Sequence, residues 1–200
     1  VVGDDAVNEK LAYAIGLAFG TEARALNETA VIVGRDGRLT GEKLQAALVC
    51  GLLETGCDVI DIGMVTTPML YFATHELKQC STGIMVTASH NPPSDNAVKI
   101  YWSSGGQVLP PHEQGIIECA GEVGQIDTVD FAGAVEQGQV VICTEETDKA
   151  YLQVLEGVSL PGPRQLGILF SPLHGVAASS VVPLLNSVGF QDVQVYPPHA

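Results

Sequence analysis

Positive charge is scarce in this chain. Nine Lys and Arg stand against 23 Asp and Glu, a formal net charge of −14, and charged residues make up only 16% of the sequence. Such a surface repels nucleic acid and anionic membranes, so neither is expected as a partner. It also repels an anionic small molecule in bulk, and a site for one must be built from a few local cations. Cysteine pairing signals are missing too. Cys50, Cys57, Cys80, Cys119 and Cys143 are odd in number and lack CxxC spacing, which argues against a zinc motif or disulfide framework and for buried free thiols in a reducing cytoplasm. There is no membrane-length apolar run and no signal peptide. No initiator methionine stands at Val1, so the 200 residues are read as a fragment or processed form. What is plentiful is apolar: 46% of residues are hydrophobic, ample for a core.

The patterning alternates between strand and helix. Asn8 is placed to cap a helix reaching about residue 19, with Leu11, Ile15, Ala18 and Phe19 as its apolar stripe and Gly20 as its stop. Residues 30–33 read as a buried strand, and Thr40 as the cap of a helix ending near Gly56. A strand over 59–62, a short helix over 70–77 and a buried strand over 84–86 follow. Strand, helix, strand order predicts parallel pairing with right-handed crossovers. Residues 98–102 alternate as a strand, and 112–122 read as a helix introduced by Pro110 and Pro111. Residues 127–145 are acidic and weakly patterned, and read as loop. A helix over 148–158, a strand over 166–170, a helix over 177–187 and a strand over 193–195 complete the chain. His174, at a strand–helix turn, reads as structural.

Two stretches carry chemistry. In the first, Gly34-Arg35-Asp36-Gly37-Arg38 follows a buried strand directly. Its guanidiniums suit forked hydrogen bonds to phosphate, and the same string also reads as an Asp-Gly turn with solvated arginines. In the second, Ile84, Met85 and Val86 lead into Thr87-Ala88-Ser89-His90-Asn91-Pro92-Pro93. The prolines forbid a continuing strand or an immediate helix, which puts Ser89 on a stiff loop at a strand's C-terminal end, where ligands of open α/β sheets collect. A serine hydroxyl needs a base or metal to become a nucleophile, and His90 is adjacent. Equally, Ser89 and Asn91 in such a turn can simply bond backbone groups. Ala88-Ser89-His90 does not fit the Gly-x-Ser-x-Gly elbow of serine hydrolases.

The string from Thr87 to Pro93, with Asn96 and Lys99 after it, resembles the active-serine loop of the α-D-phosphohexomutases, the phosphoglucomutases and phosphomannomutases. The Gly34–Arg38 turn resembles a second hallmark of that family. The resemblance covers nearly the whole chain. It implies a three-layer α/β/α domain with a mixed, mostly parallel sheet over 1–147, followed over 148–200 by the start of a second similar α/β domain. It implies that Ser89 carries a phosphoryl group, exchanges it with a sugar phosphate and ligates Mg²⁺. His90 would be a general acid or base, or would orient the loop. Lys99 and Arg35 would balance charge at the transferring group, and Arg35, Arg38 and Asn91 would bind phosphate.

The implied substrates are hexose 1-phosphate and hexose 6-phosphate of mannose or glucose, with a hexose 1,6-bisphosphate as intermediate and activator. Pentose phosphate and glucosamine phosphate are the alternatives, as is a non-catalytic phosphosugar-binding module for the isolated piece. One departure stands out: Ala97 replaces the usual glycine before the lysine region, and the turn is expected to differ there because alanine tolerates positive φ poorly. The family's aspartate-rich metal loop and its third and fourth domains have no counterpart here. The missing C-terminal domains of the same enzyme are therefore expected partners, and the isolated chain is expected to be inactive.

Overall fold

The computed structural model describes residues 7–88, 91–92, 95–125 and 128–199. Strands β1 (Ala30–Arg35), β2 (Asp58–Met64), β3 (Gly83–Val86), β4 (Val98–Tyr101) and β5 (Val140–Ile142) form one sheet in the order β4-β3-β1-β2-β5. β1 lies parallel to β2 and β3, and β2 parallel to β5, whereas β4 runs antiparallel to β3. Helices α1 (Glu9–Ala25), α2 (Gly41–Glu54), α4 (His112–Glu122) and α5 (Phe131–Glu136) cover one face. Helices α3 (Thr67–Glu76) and α6 (Thr144–Glu156) cover the other. The three-layer, mostly parallel architecture expected from the sequence is the one observed.

The strand period explains the two cores. In β1, Val31 and Val33 join the α1/α2 side while Ala30 and Ile32 join the α3 side, and all four are buried. A strand hidden on both faces has no polar side to show, which is why the β1 and β3 segments read as continuous apolar runs.

Helix α1 runs past Gly20, its expected stop, to Ala25. Its glycines serve a helix crossing instead. A Cβ on Gly16 would lie 2.2 Å from the Leu48 carbonyl oxygen, and one on Gly51 would lie 2.2 Å from that of Tyr13. The backbones of α1 and α2 thus touch directly, and Leu48, Leu52 and Phe19 close over the contact fully buried. Asn8 does cap α1, its Oδ1 accepting from the Leu11 N–H at 2.9 Å. Trp102, in the turn after β4, stacks on His112 of α4 and meets Phe19 of α1 edge-on, which anchors α4 to the same layer.

Other expectations need correction. Thr40 makes no side-chain cap on α2: its backbone is already helical, at φ −89 and ψ −6, where a capping residue is extended, and its hydroxyl instead accepts from the Asn96 side chain at 3.1 Å. The region read as loop contains α5, capped by Asp130, and the edge strand β5. These are too short to build a periodic signal, and tertiary pairing with β2 supplies what local pattern lacks. Not every cysteine is a buried thiol: Cys57 and Cys80 are, Cys50 and Cys143 are half-buried, and Cys119 is exposed. Ala97 keeps an ordinary negative φ, so its turn needs no glycine.

After α6 the chain starts a second unit. β6 (Gly167–Phe170) and β7 (Asp192–Val195) pair in parallel around α7 (Ala178–Ser187), which packs on α6. This matches the strand, helix, strand order read from the sequence.

A buried polar contact ties α2 to β2. Asp61 Oδ1 accepts from Gln45 Nε2 at 2.7 Å and from the Gly63 N–H at 2.8 Å. Burial pushes the Asp61 carboxyl up from its ordinary value, against the pull of those two hydrogen bonds and of the Arg35 guanidinium.

The packing and the buried charge are tested by three substitutions. Gly51→Ala should cost ~1–3 kcal/mol in urea unfolding, the usual penalty of overpacking, although alanine is the better helix former. Gly115→Ala, at an α4 position with nothing within 4 Å, should instead gain up to ~1 kcal/mol. For Asp61, a folded pKa above the unfolded one means the native state binds the extra proton, so stability falls as pH rises through that interval. Asp61→Asn keeps an acceptor at Oδ1 and removes the buried charge. Its melting temperature should exceed the parent's at pH 7, with the gap closing as the pH drops below the unfolded carboxyl's range.

Candidate active site

The topology gathers the sequence's two chemical stretches at one edge. Residues Met64, Arg35, Val86 and Val98 form a single register row across β2, β1, β3 and β4. Three parallel strands end there, and antiparallel β4 begins there. The loops 36–40, 65–66 and 87–97 all leave from this row, at the end where open α/β sheets bind ligands. Ser89 and His90 belong in sequence to the last of these loops and lie outside the described residues, as do Pro93 and Ser94.

Arg35 closes β1. Its side chain is 18% exposed, its Nη2 pairs with Glu42 Oε1 at 2.8 Å, and its Nη1 donates to the Asp36 carbonyl at 3.3 Å. Glu42 itself is 79% exposed, in the first turn of α2. An ion pair to so exposed a partner is a weak tether, worth ~0–1 kcal/mol.

Arg38 is held very differently. Its side chain is only 8% exposed. Nε donates to Asp36 Oδ2 at 2.9 Å, Nη1 donates to the carbonyls of Pro92 and Asp95, the latter at 2.8 Å, and Nη2 donates to the Asn91 carbonyl at 3.1 Å. Asp36 completes the arrangement: its Oδ1 accepts from the Arg38 N–H at 3.1 Å, and its Oδ2 also accepts from Thr87 Oγ1 at 2.7 Å. Backbone bonds reinforce the junction. The Asp36 N–H donates to the Val86 carbonyl at 3.1 Å, and that of Thr87 to the Ala97 carbonyl at 2.8 Å.

The structure therefore brings Arg38 and Asn91 together, but through the Asn91 backbone. The Asn91 side chain is exposed and lies 3.5 Å from Asp95 Oδ2. Lys99 sits half-buried on β4 directly opposite Met85, one residue in from the edge row and on the α3 face. His174 falls in the second unit, away from this row in the chain order. It has φ +63, its N–H donates to the His199 carbonyl at 3.1 Å, and its ring meets that of His199 edge-on. Among the described residues no three His, Cys, Asp or Glu side chains gather to hold a metal ion. Ser89, the metal ligand expected from the sequence, lies outside them.

Reading residue types at a distance missed Asp36, Thr87 and the Thr40–Asn96 pair. Asp36 carried a signal: a carboxylate two residues before an arginine in a glycine-flanked turn can bond both its backbone and its side chain. Thr87 and Thr40 carried none, because their partners lie about fifty residues away in sequence.

Comparison with known proteins agrees with the geometry. Residues 1–126 match the family model described as phosphoglucomutase/phosphomannomutase, alpha/beta/alpha domain I. A phosphomannomutase/phosphoglucomutase of Pseudomonas aeruginosa is 36% identical over 196 residues, which is 98% of this chain and 39% of that protein. A phosphoglucosamine mutase of Shouchella clausii is 32% identical over 179 residues, 89% of this chain and 39% of that protein. The crystal structure of a phosphoglucomutase/phosphomannomutase family protein from Burkholderia thailandensis superposes with a TM-score of 0.75 at 30% identity, covering 98% of this chain and 41% of that one. The chain thus spans about two fifths of the length of these relatives, and with its first sheet built as their domain I it belongs to the phosphoglucomutase/phosphomannomutase family.

Proposed function

We infer that this chain is the serine-bearing part of a phosphosugar mutase that interconverts hexose 1-phosphate and hexose 6-phosphate of mannose or glucose. The observation that carries the reading is the edge row. It sets the Gly34–Arg38 turn, the Thr87–Ala97 loop and Lys99 against one another on strands that are separated in sequence.

Phosphorylated Ser89 transfers its group to the free hydroxyl of a sugar monophosphate. The bond between phosphorus and Ser89 Oγ breaks, a bond to the sugar oxygen forms, and the sugar's proton goes to a base, for which His90 is the adjacent candidate. The bisphosphorylated sugar then turns over and returns its other phosphate to Ser89. Such a transfer depends mainly on positioning and on stabilising charge. Arg35 suits the second task. Its weak tether to exposed Glu42 yields readily to a doubly charged phosphate, which a guanidinium binds in a forked geometry. Lys99 would add a second cation from β4.

The acidic chain makes local cations decisive, since its net charge opposes every phosphate that arrives. Mg²⁺ and a hexose 1,6-bisphosphate are proposed for the longer protein on the family resemblance alone. Among the described residues no three His, Cys, Asp or Glu side chains form a cage for the ion, and Ser89 is the one ligand this chain is proposed to supply. A cytoplasmic setting accords with five unpaired cysteines. Glucosamine phosphate is the second reading of the substrate, supported by the relative named a phosphoglucosamine mutase.

The chain spans about two fifths of its relatives' length, so turnover is proposed for, and measured on, a protein of their full length that contains it. There Ser89→Ala should lower turnover on glucose 1-phosphate and mannose 1-phosphate by at least ~10³-fold, the scale of loss when a nucleophile is removed. Near-parental turnover on either sugar would contradict the assignment. A panel that includes glucosamine 1-phosphate ranks the substrates.

A further inference from the structure

We propose that Arg38 is a positioning residue, a clamp that sets the shape of the Thr87–Ala97 loop, and that it is not a ligand of the substrate's phosphate. The inference rests on the reading of that loop as the seat of the transferring serine.

Among the described residues, at least four of the N–H donors of its guanidinium are directed at groups of the protein: the Asp36 carboxylate and the carbonyls of Asn91, Pro92 and Asp95. The carbonyls of Asn91, Pro92 and Asp95 all accept from this one cation. The planar fork of arginine matches that set of acceptors, whereas the ammonium of lysine supplies the same charge as a point on a flexible stem. Asp36 anchors the cation from below. It grips the arginine's own N–H and Nε and reaches across to the Thr87 hydroxyl, where the loop leaves β3. Thr87 is buried, and the Arg38 side chain is nearly so. Both the departure of the loop at Thr87 and its return at Asp95 are thereby referred to β1. On the far side the Asn96 amide fixes to Thr40 at the head of α2. Arg35, the other arginine of the turn, makes none of these contacts to the described residues of the loop and remains the phosphate-facing candidate.

The test compares Arg38→Lys, Arg38→Ala and Thr87→Val in the longer protein, after checking by circular dichroism that each is folded. Amide hydrogen exchange is read at Thr87, Asn91, Asp95 and Ala97, whose N–H groups are bonded within the loop. Both arginine variants should exchange faster there by about tenfold or more and lose about 10–100-fold in kcat, with KM for the sugar phosphate changed less than threefold. Thr87→Val should shift exchange in the same direction by less. A phosphate ligand behaves in the opposite way: lysine would restore much of the activity, KM would rise, and loop exchange would stay at the parental rate. That result would overturn the proposal. Faster loop exchange in variants of a parent that turns over no sugar phosphate would uphold the clamp and defeat the functional reading, so the two failures are distinguishable.

Discussion

One ion pair joins the parts of this fold that matter for chemistry. Asp36 and Arg38 lie in a turn two residues apart, and between them they bind both ends of a loop some fifty residues further on. The pair is largely buried, and its charges are tolerable because each is hydrogen-bonded: carbonyl oxygens accept from the guanidinium, and N–H and O–H groups donate to the carboxylate. Removing either charge leaves the other buried without its counter-ion, a loss on the order of 3–5 kcal/mol in comparable pairs. The loop's shape is consequently tied to the stability of the domain and not left to its own sequence.

The rest of the architecture exists to hold that junction still. The direct contact of the α1 and α2 backbones at Gly16 and Gly51 fixes the helix that starts just after the arginine turn. The alternation of β1 between two cores fixes the strand that ends in Arg35. With β1 and β3 parallel and in register, the end of one strand cannot shift against the other without breaking two cores at once. Rigidity of this kind suits a phosphoryl transfer, in which geometry and charge do most of the work. Electrostatics follows the same division. The chain as a whole repels anions, and the two arginines of the turn differ in how they are held: Arg38 is enclosed by protein acceptors, while Arg35 pairs with a solvent-exposed glutamate.

Much of this was legible in the sequence. Continuous apolar runs at β1 and β3 announced buried parallel strands, and the glycine- and proline-marked stretches after them announced where the chain leaves the sheet. The Thr87–Pro93 string indicated the family that the comparisons establish. What was not legible depended on long-range contact. Gly20 looks like a helix stop until the packing of α1 on α2 is known. Thr40 looks like a cap until its backbone is seen to be helical already and its hydroxyl to meet Asn96. β5 is three residues of a strand whose only justification is the edge of β2. Arg38 shows the limit most clearly. Its residue type and spacing suit phosphate, and nothing local tells that its donors face three carbonyls of another loop.

The proposed mutase reaction requires Ser89 to carry the phosphoryl group. The direct test is to incubate the longer protein with a hexose 1,6-bisphosphate labelled in its phosphates, digest it under conditions that preserve phosphate esters, and locate the label by mass spectrometry. Stoichiometric label is expected on Ser89. Label on another side chain, or a protein that turns over sugar phosphate while carrying none, would contradict it.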